Sequence, residues 1–334
     1  MKLIPLLATA ALLGAGVASA QTVFTASSWV GPTHTLSVAQ KSWCDLLEKE
    51  SSGRMKCNIL PKGVAAAPGT FDAVRDGLAD ISFTVDGYTP GRFVFTQLAE
   101  FPFLGDSALA TSVAYQHLYT KYFAPLGEHR GVKVLGVFTH GPGIIFNSKQ
   151  PVKTAEDATK LKFRIGGGNI NELSKLMGFN TTLKPAPDSF ELLSTGVMDG
   201  TFFPDESVAS FKLSMIKHAT TFPGGLYNTS FVFMMNPAKY NALSAQDKAV
   251  VDKISGETAA RIFGEGWDKV DASSRELQKT QGVARIQADD SFIKAVTAKQ
   301  SELEDKWAAA AAAKGLKDPK AVLAEFRAEI KKVK

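Results

Sequence analysis

Leu161-Lys162-Phe163-Arg164-Ile165-Gly166-Gly167-Gly168 reads as a strand that runs out into a glycine turn. Its apolar side chains alternate, which sets Phe163 and Ile165 toward one face and Arg164 toward the other. Asn171–Met177 follows as a helix closed by Gly178, so the stretch is a strand–turn–helix unit. The same rhythm holds upstream: Val23–Ser27 is a strand, Thr35–Ser51 a helix, Met55–Leu60 a strand, Phe71–Gly77 a helix core and Ile81–Val85 a strand. Val132–Thr139 is a further strand. This alternation predicts an α/β protein with a largely parallel sheet. Two breaks divide it. Phe146-Asn147-Ser148-Lys149-Gln150-Pro151 is a polar interruption before a second β-rich unit, and beyond Val232–Met235 the chain reads as helical from Ser244 to its end. The expectation is two α/β lobes and a helical C-terminal third.

Composition is that of a globular protein. Of 334 residues, 45% are apolar and 21% charged, with 38 Lys+Arg against 33 Asp+Glu for a formal charge of +5. A charge this small and dispersed, without a run of five basic residues, excludes a nucleic-acid partner. At the start, Lys2 precedes the uncharged apolar stretch Leu3–Val17, and Ala18-Ser19-Ala20 supplies small residues for cleavage. Residues 1–20 therefore read as a Sec-type signal peptide cleaved after Ala20. The alternative, a membrane anchor, needs roughly 20 apolar residues and finds fewer. No cysteine follows the cleavage site to carry a lipid, so the product is expected to be released in soluble form.

Export bears on Cys44 and Cys57. Gln40, Trp43, Cys44 and Leu47 share one face of a helix, Cys57 lies in a short alternating strand, and Ser52-Gly53 stops the helix between them. In an oxidising compartment a disulfide is the expected state, adding about 3 kcal/mol in the chain-entropy model. Two small buried hydrophobes are the alternative.

Reactive chemistry is absent from the pattern. His34, His117, His129, His140 and His218 show no metal-ligand spacing, and neither G-x-S-x-G nor H-E-x-x-H occurs. Gly166-Gly167-Gly168 lacks the Lys-Ser/Thr of a phosphate loop. No metal, cofactor or enzymatic activity is expected. Arg164 is the exception to this blandness, because ligands of open α/β sheets bind outside strand C-termini. A guanidinium there, beside glycine backbone, suits a bidentate clamp on a carboxylate. Pairing with a nearby acid is the other reading of the same residue.

The run Pro151–Pro204 resembles the solute receptors of TRAP transporters, the tripartite ATP-independent periplasmic carriers, of the DctP type. The resemblance rests on Pro151-Val152-Lys153, on Leu161-Lys162-Phe163-Arg164, on Gly178, and most specifically on Leu193-Ser194-Thr195-Gly196-Val197-Met198-Asp199-Gly200 with Pro204. Gly53-Arg54, Leu60-Pro61-Lys62-Gly63, Gly77-Leu78-Ala79-Asp80-Ile81 and Phe101-Pro102-Phe103-Leu104 fit the same family in the same order. The resemblance implies a two-lobed periplasmic binding protein, type II-like, with hinge strands and a long helix spanning both lobes. Residues 21–140 with about 229–268 would form the first lobe, and 141–228 with about 269–334 the second. It further implies a monomer in the periplasm that hands a small carboxylate to the small and large membrane subunits of a TRAP carrier. Arg164 matches the family arginine that pairs with the ligand carboxylate.

Departures from the family pattern bear on the ligand. Where the family commonly reads Gln-Glu-Asn-Pro after Asp-Gly, this chain has Thr201-Phe202-Phe203-Pro204, so Phe203 replaces a polar contact. His140-Gly141-Pro142-Gly143 lacks the second arginine of many sugar-acid receptors, and Trp29 occupies a loop that contributes to the cleft. These changes point to a monocarboxylate with an apolar or aromatic body, although Phe202 and Trp29 also read as core. A sugar acid or another hydroxy or keto acid is the alternative ligand, and ligand sensing the alternative role. Asp86 and Tyr88 follow the strand Ile81–Val85, and Tyr227 and Asn228 precede the returning hinge strand. With Ala186 they complete the cleft candidates; ordinary loop chemistry would explain them equally.

Overall fold

The computed structural model describes residues 21–333, so the expected signal peptide lies outside the described residues. Two sheets organise the chain. It begins with β1 (Thr22–Ala26), α1 (Thr35–Glu50), β2 (Met55–Ile59), α2 (Thr70–Arg75), β3 (Ile81–Val85), α3 (Ala108–Leu118) and β4 (Lys133–Thr139). It then continues through β5 (Ile144–Asn147), α4 (Ala155–Thr159), β6 (Lys162–Ile165), α5 (Asn169–Met177), β7 (Asn180–Leu183), α6 (Ser189–Ser194), β8 (Gly200–Phe203), α7 (Glu206–Ser210) and β9 (His218–Thr221). The chain returns as β10 (Ser230–Met235), followed by α8 (Pro237–Asn241), α9 (Ala245–Lys253), α10 (Glu257–Thr280), β11 (Ala284–Gln287), α11 (Asp290–Ala313) and α12 (Pro319–Ile330).

The first sheet has the order β2-β1-β3-β10-β4 and the second β11-β9-β5-β8-β6-β7. Both are mixed, which corrects the expectation of a largely parallel sheet. β10 runs antiparallel to β3 and β4, and β5 antiparallel to β8 and β9. These are the strands by which the chain enters each half from the other. β4 leads into β5 through His140–Gly143, while Phe222–Thr229 carries the chain from β9 back to β10. The two crossings are stitched together by Gly143 N–H to Tyr227 O and Leu226 N–H to Gly143 O, both 2.8 Å.

Local chemistry explains the elements. α1 buries the stripe Leu36, Ala39, Gln40, Trp43, Cys44 and Leu47, and the Trp43 indole donates to Ile254 O at 2.9 Å. Cys44 is disulfide-bonded to Cys57 across α1 and β2, with their Cα atoms 5.7 Å apart. α4 starts in a capping box between Thr154 and Asp157, and α5 ends on Gly178 in the left-handed region. Asn147 belongs to β5, and its side-chain oxygen accepts from Lys149 and Gln150 N–H. The polar break therefore begins at Ser148, two residues later than its composition implies. The C-terminal third is not wholly helical, because β11 adds to β9 as a parallel edge strand. Most of β11 is exposed, so no apolar alternation marked it.

α10 ties the halves together. Its buried stripe of Ala260, Phe263, Gly264, Trp267, Asp271 and Ser274 follows helical spacing. It packs on α1, α3 and β4 at one end and on α7 at the other. Asp268 accepts from Ser107 Oγ and Ala108 N–H at the start of α3, whereas Asp271, one turn later, accepts from Glu206 N–H at 2.7 Å. α11 then packs on α5 and α12 on α3. No helix among the described residues is long and apolar enough to cross a membrane.

Candidate functional site

The C-terminal ends of β1, β3, β6 and β8 face one another between the sheets. Around them lies a tight cavity of about 40 Å³, drawn in around its lining side chains. Arg164 on β6 reaches its wall although it is only 2% exposed. Its Nε donates to Lys184 O at 2.7 Å, and its guanidinium carbon stands 4.4 Å above the ring of Phe203. No carboxylate forms an ion pair with it among the described residues, so the reading of Arg164 as one half of an internal salt bridge is set aside. Burial pulls its pKa down; Tyr88 and Tyr227, and lastly Asp188, act in the opposite sense. The cation is thus held in a dry place by ring faces, phenols and one carbonyl, with its terminal nitrogens uncommitted to any acid. That arrangement favours an incoming anion.

Aromatic side chains make most of the remaining wall. Phe203 stacks on Phe211 at 5.5 Å between centroids. The Trp29 indole donates to Phe83 O at 2.9 Å and packs edge-on against Tyr88 at 5.9 Å. Tyr88 OH in turn accepts from Ala186 N–H at 2.9 Å, which fixes the turn that brings Ala186 to the cavity. Tyr227 arrives from the return crossing. Burial raises the pKa of both tyrosines, so each stays a neutral phenol. Burial likewise lowers His140 to about 4, making it a neutral imidazole on the same wall.

Arg164, Phe203, Trp29, Tyr88, Ala186 and Tyr227 therefore share one cavity. Asp86 and Asn228 do not line it. Asp86 sits in the helical turn after β3 and points back into the first half, its Oδ1 3.0 Å from His129 Nε2. Asn228 is consumed by the hinge: its amide nitrogen donates to the carbonyls of His140 at 2.9 Å and Gly141 at 2.8 Å. Sequence reasoning missed His34, Phe211, Phe231 and Trp267, which also line the cavity. Trp267 comes from α10, and only its place in the buried stripe with Phe263 and Asp271 could have marked it.

Two contacts close the cleft from outside. The Glu100 carboxylate, before β4, accepts from Asn169 N–H at the start of α5 at 2.8 Å and from Ser230 Oγ at 2.6 Å. Burial pushes its pKa up to about 7, against the opposing hydrogen bonds. Beside it the backbones of Gly87 and Gly168 touch: a Cβ on Gly87 would lie 2.7 Å from Gly168 N. No group of three or more His, Cys, Asp or Glu that could hold a metal occurs among the described residues.

The family model of the bacterial extracellular solute-binding protein, family 7 (DctP), matches residues 26–310. A TRAP periplasmic solute-binding protein from Bordetella bronchiseptica, solved with bound (R)-mandelate and (S)-mandelate, is 43% identical. It superposes with a TM-score of 0.91 over 94% of this chain and 100% of its own. A marine metagenome TRAP solute-binding protein specific for aromatic acid ligands, in complex with 3-hydroxybenzoate, is 34% identical, with a TM-score of 0.87 over 94% and 99% of the two chains. A TRAP solute-binding protein from Rhodoferax ferrireducens with copurified benzoate is 28% identical, with a TM-score of 0.86 over 93% and 98%. Matched over most of its length by family model and fold alike, the chain belongs to the DctP family of bacterial extracellular solute-binding proteins, the receptors of TRAP transporters.

Proposed function

We propose that this protein captures an aromatic monocarboxylate and delivers it to a TRAP-type membrane carrier. The observation that carries the reading is Arg164, buried without an acidic partner among the described residues on a wall made largely of aromatic rings. A carboxylate would neutralise the guanidinium through two parallel N–H···O bonds, and the ring would stack among Phe203, Phe211, Trp29 and Tyr88. Sugar acids fit poorly, because their several hydroxyls would meet few unpaired polar partners on such a wall. The aromatic acids bound by the three relatives support the same choice.

Capture works by closure. One lobe takes residues 21–140 with about 229–268, the other 141–228 with about 269–334, and the crossings at His140–Gly143 and Phe222–Thr229 act as hinges. Ligand shifts the open–closed equilibrium by the contacts it makes only when both halves surround it. The protein works as a monomer in the periplasm after cleavage behind Ala20, it binds without turning over its ligand, and its closed surface is what the carrier subunits recognise. A thermal-shift panel tests the ligand class. Mandelate and benzoate should raise the melting temperature, whereas glucuronate and galacturonate should leave it unchanged; stabilisation by the uronates alone would overturn the proposal.

A further inference from the structure

The carboxylate reading leaves the far end of the cavity unassigned. From Arg164 the wall runs through Phe203 at 4.4 Å, Phe211 at 5.5 Å, His34 at 5.1 Å and Trp267 at 6.0 Å. It returns through His140 at 5.9 Å and Tyr227 at 5.4 Å, both of which feel the charge of Arg164. His34 feels Glu206 instead. His34 and Trp267 thus form the pole away from the arginine.

Two N–H groups at that pole lack acceptors. Trp267 is 2% exposed, and its indole Nε1 has no hydrogen-bond partner among the described residues. His34 accepts the Leu36 N–H on Nδ1 at 3.2 Å. Glu206 Oε1 lies 3.6 Å from the same Nδ1 and opposes the lowering of the pKa by burial. With Nδ1 engaged as the acceptor of Leu36 N–H, the proton of the neutral ring belongs on Nε2, for which no acceptor occurs among the described residues. A fully buried donor such as Trp267 Nε1 is rarely left unpaired without a reason. Ser207, on the same wall, spends its hydrogen on Glu206 Oε2 at 3.3 Å and keeps lone pairs that can accept one.

Resting on the carboxylate reading, we infer that the ligand is a ring-hydroxylated aromatic acid. Trp267 Nε1 and His34 Nε2 donate to the phenolic oxygen, and Ser207 Oγ accepts its hydrogen. Size alone would be served by the rings; the hydroxyl is selected by donors that benzoate leaves unpaired.

Calorimetric titration of the protein with benzoate, 3- and 4-hydroxybenzoate, and 3- and 4-methylbenzoate tests this. One hydroxybenzoate should bind roughly tenfold or more tighter than both benzoate and the methyl isostere. In Trp267→Phe that ratio should fall to about threefold, and with His34→Asn added to near one. Asn keeps an N-cap acceptor for Leu36 while removing Nε2, so the second substitution spares α1. Equal affinity for the hydroxy, methyl and unsubstituted acids would overturn the inference while leaving the carboxylate reading intact. So would a hydroxyl preference that survives both substitutions. Failure of all five acids to bind the folded protein would overturn the carboxylate reading itself, and the inference with it.

Discussion

Replacing Arg164 with Met should produce opposite effects with and without ligand. In the closed arrangement the guanidinium is buried, with Nε bonded to Lys184 O and the rest lying over Phe203. Losing these two contacts costs about 1 kcal/mol for the hydrogen bond and about 0.5–2 kcal/mol for the cation–π contact. Against this stands the desolvation of an unpaired ion, several kcal/mol even after relaxation. Met fills similar volume without charge, so the closed, ligand-free form of the variant should gain roughly 1–3 kcal/mol relative to its open form. With ligand the balance reverses. Two charge-assisted hydrogen bonds disappear, at about 1.5–3 kcal/mol each, which weakens binding of benzoate-like acids by roughly 10²–10⁴-fold. Titration calorimetry reads the second effect, and the radius of gyration from small-angle scattering of ligand-free protein reads the first. The expected pair is lost affinity and a more compact apo form. An Arg164→Met protein that still binds within threefold, or whose ligand-free fold is strongly destabilised, would make Arg164 a structural residue and defeat the reasoning.

Two further perturbations probe closure. Gly87→Ala places a Cβ against the backbone of Gly167 and Gly168, where no flexible side chain can yield. Affinity for the ligand should fall at least about tenfold, at a cost of about 1–3 kcal/mol typical of overpacking, while circular dichroism shows an unchanged fold. Glu100→Gln tests the pH dependence of the latch. A carboxyl whose native pKa is about 7, above its unfolded value, binds a proton on folding, so its contribution to stability is present at low pH and is lost as pH rises through about 7. The upper bound is about 3 kcal/mol. His140, lowered to about 4, acts in the reverse sense and loses stability as pH falls below the unfolded histidine value, near 6.5. Denaturant melts of both proteins between pH 5 and 8 should show Glu100→Gln gaining on the parent as pH rises. Parallel profiles would remove Glu100 from the pH response.

The fold was legible where a single element carries its own signal. β3 and β6 stand where alternation put them, and the helix with Cys44 buries the face its spacing marked. β11 was not legible, because an exposed edge strand needs only a neighbour with free backbone groups. The reversed directions of β5 and β10 were equally hidden, since periodicity does not encode strand direction. At the site, Arg164 could be singled out because strand position and glycine neighbours are local facts. Trp267 and Phe211 reach the cavity by tertiary packing, from α10 and from the segment after α7, and look like core from within their own segments. Asp86 shows the converse. Its place after a strand end is plain in the sequence, yet the following helical turn aims its side chain at His129.

A crystal structure of the protein grown with benzoate is the most direct test of the carboxylate anchor. Both carboxylate oxygens should lie within hydrogen-bond distance of the Arg164 terminal nitrogens, with the ring between Phe203 and Trp29. A benzoate bound elsewhere, or bound in this cavity with its carboxylate turned away from Arg164, would contradict it.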